Sequence, residues 1–545
     1  MPKTLRESQA SAPQNLPHPD AHHRGAPQGH ADLSQVQTTE HRPPLELGPE
    51  GHLSAEAIAE ASRRSTPNAR LTLAAERAMR ESHRALNVLV EQGREIYGLT
   101  TGYGPFVSFR ADADPQRQGL GLINHLASGW GPEAPAPIVR AAMLLRAQTV
   151  AQGRSGIQPA VARTFVALIN AGIVPAVPEV GSVGASGDLI PMAHVVQCLA
   201  GRGEAITEEG DLIPGARALA DANLEPPVLG ARDALALVNG TAFMTAYALH
   251  ALVAAERLMQ RAEQLTAWIV RLLQARTESL DPRLHAARGH QGQATSAAHI
   301  RSAIAHQGEH QVDMGRPLQE VYSIRCAPQW LGAGREQLAY ARRLIEAEIN
   351  GVSDNPILCT TTDGHPDVLH GGNFQGTQIA FAADAINTAL THTALLAERQ
   401  LDVLSNPELN GGAPLLLAHE PGPDAGIAGI QITATAIVAD MRLHAQPGAI
   451  ASMPTNGRNQ DVVSMGTLAA RNAWQQVDRC AGVLAACSMG ASQLNHLRHT
   501  GRAPGPSTSA PAWMAHHHPF DADQPTRHDL QRLAAALLAH EPQTP

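Results

Sequence analysis

Aromatic residues are scarce in this 545-residue chain, which has seven Phe, five Tyr and five Trp. So few large rings argue against a β-sandwich core and for helix-on-helix packing built from alanine and leucine. Cysteine is equally sparse. The five present (Cys198, Cys326, Cys359, Cys480, Cys487) are scattered without a C-x-x-C pair. This excludes a small disulfide framework and fits a reducing compartment. The net charge of −9 is not offset by any Lys/Arg-rich run, so nothing offers nucleic acid or anionic lipid an electrostatic footprint. Two apolar features are missing as well. The Pro/His/Gln-rich N-terminus lacks the hydrophobic core of a secretory signal, and no uncharged apolar stretch reaches membrane-spanning length. A soluble, cytoplasmic protein is expected.

Met1 to about Gly51 holds too few aliphatic residues to offset its ordering entropy, which predicts a disordered extension over 1–51. Globular composition begins at Leu53. Windows free of glycine and proline then predict long helices. They run over Thr377–Asn406, over Asp233 to about Leu280 with one break at Gly240, over Glu336–Asn350 and over Thr467–Cys480. The expected fold is mainly α. A loop-rich portion over 52–235 precedes a central helical bundle over 236–500, and a loop and short helix (about His528 to His540) close the chain over 501–545.

The most informative stretch is Gly181-Ser182-Val183-Gly184-Ala185-Ser186-Gly187-Asp188-Leu189. If the Gly187 amide nitrogen attacks the Ala185 carbonyl carbon, a five-membered ring closes. Loss of water then leaves Ser186 as an exocyclic methylidene. Gly187 can enter the strained geometry of attack because it lacks a Cβ; Ala185 crowds the ring least, and Ser186 supplies the leaving hydroxyl. Read alone, Ala-Ser-Gly is a loop tripeptide that recurs by chance.

Further motifs stand at glycine-rich joints. They are Tyr97-Gly98-Leu99-Thr100-Thr101-Gly102-Tyr103-Gly104, Leu237-Val238-Asn239-Gly240-Thr241, Gln319-Glu320-Val321-Tyr322-Ser323-Ile324-Arg325-Cys326, Ser353-Asp354-Asn355-Pro356 and Gly371-Gly372-Asn373-Phe374-Gln375. Together, from about Leu53 to Gln493, they resemble the histidine and aromatic amino-acid ammonia-lyase family and its related aminomutases. The resemblance implies the long-helix bundle of the fumarase/aspartase-like superfamily and a homotetramer whose active sites are shared between subunits. It also implies a self-formed 4-methylidene-imidazol-5-one group (MIO) from Ala185, Ser186 and Gly187, with no external cofactor and no metal.

By the same resemblance Tyr97 is the base that removes a weakly acidic β-proton, a task suited to a phenol of lowered pKa. Asn239 hydrogen-bonds the ring oxygen, an oxyanion-type role. Arg325 pairs with the substrate carboxylate through its planar guanidinium. Tyr322 and Gln319 line the same site, Gly104 lets backbone approach, and Leu189, Asn355 and Phe374 complete the set. Each has a plainer reading as a packing residue, a cap or a buried ion pair. Glu320, Gln148 and Trp130 depart from the residues usual in the family, so their surroundings stay open.

Two patterns bear on the substrate. Gln460 stands where histidine-specific members carry a glutamate, and a neutral amide offers an imidazole no charge. The His125-Leu126 pair resembles tyrosine-acting members, in which a histidine can hydrogen-bond the phenol oxygen. Asn456 joins Gln460 as a substrate-site candidate. The implied reaction converts L-tyrosine to trans-4-coumarate and ammonia. The alternatives are a tyrosine 2,3-aminomutase, a phenylalanine or dual-specificity lyase, and a non-enzymatic helical scaffold. Ser452-Met453-Pro454-Thr455-Asn456 echoes a fumarase-type signature, but the Gly-Ser-Ser start is missing. His290, His299, His306 and His310 lack paired metal-ligand spacing, and the His516-His517-His518 run lies in a tail-like segment open to adventitious metal binding, where no catalytic metal is expected.

Overall fold

Stretches free of glycine and proline are helical, and two of the central helices also run on through glycines, Gly332 and Gly334 in one and Gly482 and Gly490 in the other. The computed structural model describes residues 43–539. Four long helices build the centre: Ala242–Leu272, Ala327–Asn350, Thr377–Ser405 and Gly466–His499. At 1.5 Å per residue the 24- to 34-residue lengths span roughly 36 to 51 Å. Ala242–Leu272 and Thr377–Ser405 each pack against the other three. Their interface is mostly Ala, Leu and Ile, so the helices approach closely with few bulky rings between them. Trp268, Tyr247 and Phe243, all on Ala242–Leu272, are exceptions, and each is fully buried. The Trp268 indole donates to Thr508 Oγ1 at 3.0 Å, which ties the Gly501–Pro511 loop to the bundle.

The Thr377–Ser405 helix is long and apolar enough to cross a membrane, yet 72% of its most apolar window is buried inside the protein. It also carries Asp384, Glu398, Arg399 and Asp402, so it is a core helix. Strands are short and peripheral. The Trp130–Glu133 strand pairs antiparallel with Pro178–Val180, and Ile357–Thr360 pairs with Pro366–Leu369 in a hairpin with Ile357 opposite Leu369.

The predicted windows correspond to helices with shifted ends. Asp233–Leu280 divides at Gly240 into Ala231–Val238 and Ala242–Leu272, and the closing helix is Arg527–Leu538. The boundary drawn at 235/236 passes through the first of these helices. The described residues, 43–539, belong to one compact unit, so that boundary separates two portions of one body.

The extension expected over 1–51 needs a correction at its inner edge. Residues 1–42 lie outside the described residues, but Leu45–Leu47 is a strand paired parallel with Ala69–Leu71. Leu47 is fully buried there. Composition missed this because the anchor lies far along the chain, in Gln148. Its buried side chain accepts from Gly48 N at 3.0 Å and donates to Gly48 O at 3.2 Å. Gln148 therefore holds the start of the fold. Its replacement by Leu leaves the Gly48 amide unpaired and its carbonyl with Gln152 Nε2 alone, at 3.3 Å, which should cost about 1–2 kcal/mol. Hydrogen exchange should then quicken at Gly48 while the bundle helices keep their protection.

Candidate active site

The Gly181–Leu189 loop feeds the Leu189–Leu199 helix, and its shape is set by backbone contact. Gly184 and Gly187 have φ of +67° and +69°, the left-handed region open to glycine. A Cβ on Gly187 would lie 2.1 Å from the Gly240 carbonyl oxygen. No other residue fits there. Asp188 locks the arrangement from beneath. Its amide donates to Gly240 O at 2.7 Å. Its buried carboxylate accepts from Ser182 Oγ at 2.8 Å, Thr467 Oγ1 at 2.6 Å and Met244 N at 2.8 Å. Burial pushes the Asp188 carboxyl up to about 6, while these donors pull the other way. Ser464 Oγ donates to Gly184 O at 2.9 Å, and Met465 N to Val183 O at 2.9 Å.

Four helix N-termini meet at this loop. Leu189–Leu199 starts at its end, and a Cβ on Gly376 or Gly466 would strike the Met244 sulfur at 2.3 or 2.6 Å. Ala242–Leu272, Thr377–Ser405 and Gly466–His499 therefore begin side by side. Their dipoles place partial positive charge around Ala185–Gly187, where negative charge on a reacting group would be stabilised.

Ser186 receives a donor on each of its oxygens. Asn239 Nδ2 donates to the Ser186 carbonyl at 3.0 Å, and Gln460 Nε2 to its hydroxyl at 3.0 Å. Asn239 is held in turn by Arg146, whose guanidinium donates to Asn239 O and, at 2.9 Å, to Ser353 O. Arg146 is fully buried, and desolvation lowers its pKa to about 10. Arg146 and Arg232 both pair with buried Asp354. Arg232 also reaches Asn355 O at 3.2 Å, and Asn355 Oδ1 accepts from Gly371 N at 2.8 Å. Asn355 thus braces the Gly371–Gly376 loop, on which half-buried Phe374 stands two residues before Gly376.

Tyr97 lies in an irregular loop, as its glycines require. Its Oη accepts from Gly104 N at 2.8 Å, and its ring meets Tyr103 edge-on at 6.4 Å. Burial raises the Tyr97 pKa, against a lowering from the Gly104 amide. The expectation of a lowered phenol pKa is therefore corrected for the single chain, in which desolvation outweighs one backbone donor. Gly104 borders the Thr455–Gln460 turn: a Cβ there would lie 3.0 Å from Asn456 Nδ2. Thr455 N donates to Gln460 O at 3.0 Å, closing the turn that carries Gln460 to Ser186. Tyr97, Gly104, Asn456, Gln460, Ser186 and Asn239 thus form one continuous site, with Leu189 opening the helix behind it.

His125 and Leu126 end the Pro115–Leu126 helix, which packs on Leu189–Leu199 and Ala231–Val238. Leu126 packs against the core, whereas His125 is exposed. His125 Nδ1 bonds the Gly121 carbonyl at 2.9 Å. A carbonyl only accepts, so Nδ1 carries the proton and Nε2 of the neutral ring keeps a free lone pair.

Tyr322, Arg325 and Gln319 lie elsewhere. The Arg325 guanidinium sits 4.6 Å from the ring centroid of exposed Tyr322, and its Nε donates to Glu320 O at 2.8 Å. Gln319 is exposed, while Glu320 is buried in a two-bond ion pair with Arg316 at 2.9 and 2.6 Å. This segment is tied to the bundle through Ser323 O, which accepts from Gln400 Nε2 at 3.0 Å. Gln400 is 24 residues along the helix from Gly376, roughly 35 Å from the Ser186 end. One chain does not bring these three residues to Ser186. Trp130, another departure noted in the sequence, is 80% exposed on its strand.

Sequence reasoning missed Asp188 and Thr467 as a clamp and Arg146–Asp354–Arg232 as a brace. The Asp that follows Ala-Ser-Gly was a usable signal for the first; the second pairs residues more than a hundred positions apart. Among the described residues no group of three or more His, Cys, Asp or Glu is placed to hold a metal.

The family model for aromatic amino acid lyases matches residues 53–516, and the chain belongs to that family. A tyrosine ammonia-lyase from Cereibacter sphaeroides is 39% identical over 483 residues, covering 85% of this chain and 92% of that protein. A histidine ammonia-lyase from Treponema denticola is 38% identical over 432 residues, covering 79% and 84%. The crystal structure of a tyrosine aminomutase from Streptomyces globisporus superposes with a TM-score of 0.83 at 31% identity, covering 91% of this chain and 97% of that one.

Asp188 also sets a pH dependence. The native carboxyl keeps its proton up to about pH 6, whereas the ordinary value is 3.8. Unfolding therefore releases a proton between these values, and stability should fall as pH rises from about 4 to about 6 and then level off. Asp188→Asn should flatten that slope in thermal melts taken across the range.

Proposed function

We propose that this chain is an ammonia-lyase acting preferentially on L-tyrosine, with an electrophile made from Ala185, Ser186 and Gly187. The observation that carries the reading is the pair of donors on Ser186, held where two left-handed glycines bend the loop. The residues present fit a cyclised group. The Gly187–Gly240 contact presses the loop into a tight bend, Asn239 faces the Ser186 carbonyl, and Gln460 faces the hydroxyl that must leave. Once formed, the group supplies an electrophile for the substrate amine.

The other roles follow from the chain's own side chains. Tyr97 takes the β-proton, and because burial holds the phenol proton on, turnover should rise with pH through the alkaline range. Asn239 and the converging helix ends stabilise negative charge. His125 accepts a hydrogen bond from the substrate phenol on Nε2, which phenylalanine cannot offer. Arg325 holds the carboxylate. It must come from a second copy, since Tyr322 and Arg325 sit at the far end of their own bundle; this supports an oligomer with shared sites. Five free cysteines fit a reducing, cytoplasmic location.

Ser186→Ala should assemble but lose most deamination, and its intact mass should not show the two-water deficit expected of the native protein. His125→Phe should raise phenylalanine turnover relative to tyrosine; an unchanged ratio removes His125 from substrate selection. Ser186→Ala and Arg325→Met, each inactive alone, should regain about a quarter of native activity when co-expressed at equal levels, because mixed sites then hold both native residues. No recovery would place the site within one chain. The similarity to a tyrosine aminomutase supports a second reading, in which ammonia is returned to the β-carbon; β-tyrosine among the products would establish it.

A further inference from the structure

The loop that carries Tyr97 is docked on the Ile357–Leu369 hairpin. Ile96 is fully buried against Leu358 and Val368, with Leu86 and Leu89 from the preceding helix. Arg94 pairs with Asp367 at 3.3 Å. Within the loop, Thr100 Oγ1 accepts from Ile96 N at 2.8 Å, and Thr101 Oγ1 from Gly98 N at 3.2 Å. The amide between them, that of Tyr97, is directed instead to His370 Nε2 at 3.1 Å. His370 follows the hairpin directly and precedes Gly371, whose amide is fixed by Asn355. One imidazole therefore joins the buried Arg146–Asp354–Arg232 brace to the backbone of the loop whose phenol meets Gly104.

We propose that His370 is a positioning residue for Tyr97: as a neutral ring protonated on Nδ1, it accepts the Tyr97 amide on Nε2 and holds the phenol in register, and its protonation releases the loop. The inference rests on Tyr97 being the base. An imidazolium carries N–H on both nitrogens and turns a donor toward the Tyr97 donor, so the bond is lost on charging. The charged group that acts on the ring is Arg94, at the start of the loop, itself paired with Asp367 of the hairpin. Partial burial and the Arg94 charge both lower the His370 pKa, so the bond persists into mildly acidic solution.

The test compares native enzyme with His370→Leu and His370→Gln, using full-length assembled protein. Three readouts are taken: amide exchange in the peptide spanning Tyr97, kcat and KM for L-tyrosine against pH, and intact mass. His370→Leu should speed exchange at Tyr97 and lower kcat by about tenfold each, the equivalent of one hydrogen bond. KM should change little, and the two-water deficit should be kept. His370→Gln presents an acceptor that does not titrate, so it should rescue most of kcat and abolish the one-proton acidic limb of the native profile. Native exchange and an unchanged acidic limb in both variants would overturn the proposal while leaving lyase activity intact. Faster exchange in His370→Leu, with native protein unable to deaminate any aromatic amino acid, would instead sustain the anchor and defeat the catalytic reading of Tyr97.

Discussion

The contact of Gly187 on Gly240 is the constraint from which the rest of the site follows. Two backbones meet with no room for a side chain, 2.1 Å being all that a Cβ on Gly187 would have. Such an approach occurs only if both segments are held from outside. Asp188 does so on one side, by binding Gly240, Met244, Ser182 and Thr467 together. Arg146 does so on the other, by gripping Asn239 and Ser353. The Ser186 carbonyl meets its donor because both clamps act on it.

Buried charge does the holding. Arg146, Arg232 and Asp354 are each buried, and one carboxylate shared by two guanidiniums is not an efficient source of stability once desolvation is counted. The geometry suggests a different benefit. The guanidiniums donate to the carbonyls of Asn239, Ser353, Ser155, Asn355 and Pro356. These carbonyls belong to non-helical joints, which have no ladder to satisfy them. Planar, always-charged donors reach several at once. The joints where backbone must be irregular are thus the places where the core is charged.

The same contrast explains how far the sequence could be read. Helix positions were legible because glycine and proline act locally: Thr377–Ser405 ends one residue short of its predicted limit. Tyr97, Asn239 and Gln460 were singled out through motif resemblance; the fold puts Asn239 and Gln460 on Ser186 and Tyr97 on Gly104, which borders the turn that carries Gln460. What local reading missed depends on partners far apart in the chain. Gln148 holds Gly48 across 100 residues, which no composition window over 1–51 could register. Motif order places Arg325 and Tyr97 in one set, but only the run of the helices shows that the Arg325 segment is tied to Gln400, roughly 35 Å along its helix from the Gly376 end. The phenol pKa was misjudged for a related reason: chemical demand on a base says nothing of its desolvation.

Rigidity is distributed unevenly around Ser186. The Gly184–Gly187 side is built from helix N-termini, buried carboxylate and arginine, with no freedom to shift without breaking several bonds at once. The Tyr97 side is a loop of three glycines held by Ile96, by the Gly104 amide on the Tyr97 phenol, by the Tyr97 amide on His370 and by the Arg94–Asp367 pair at its start. A site built on backbone strain needs the first kind of support, since a relaxed loop would lose the bend at Gly187. A site that must admit a bulky aromatic amino acid and later release a planar acid benefits from the second, because a segment with few contacts opens at low cost. The position of Tyr97 follows from this division: its phenol stands on a loop outside the regular elements, and the donors to Ser186 stand on segments braced by buried charge.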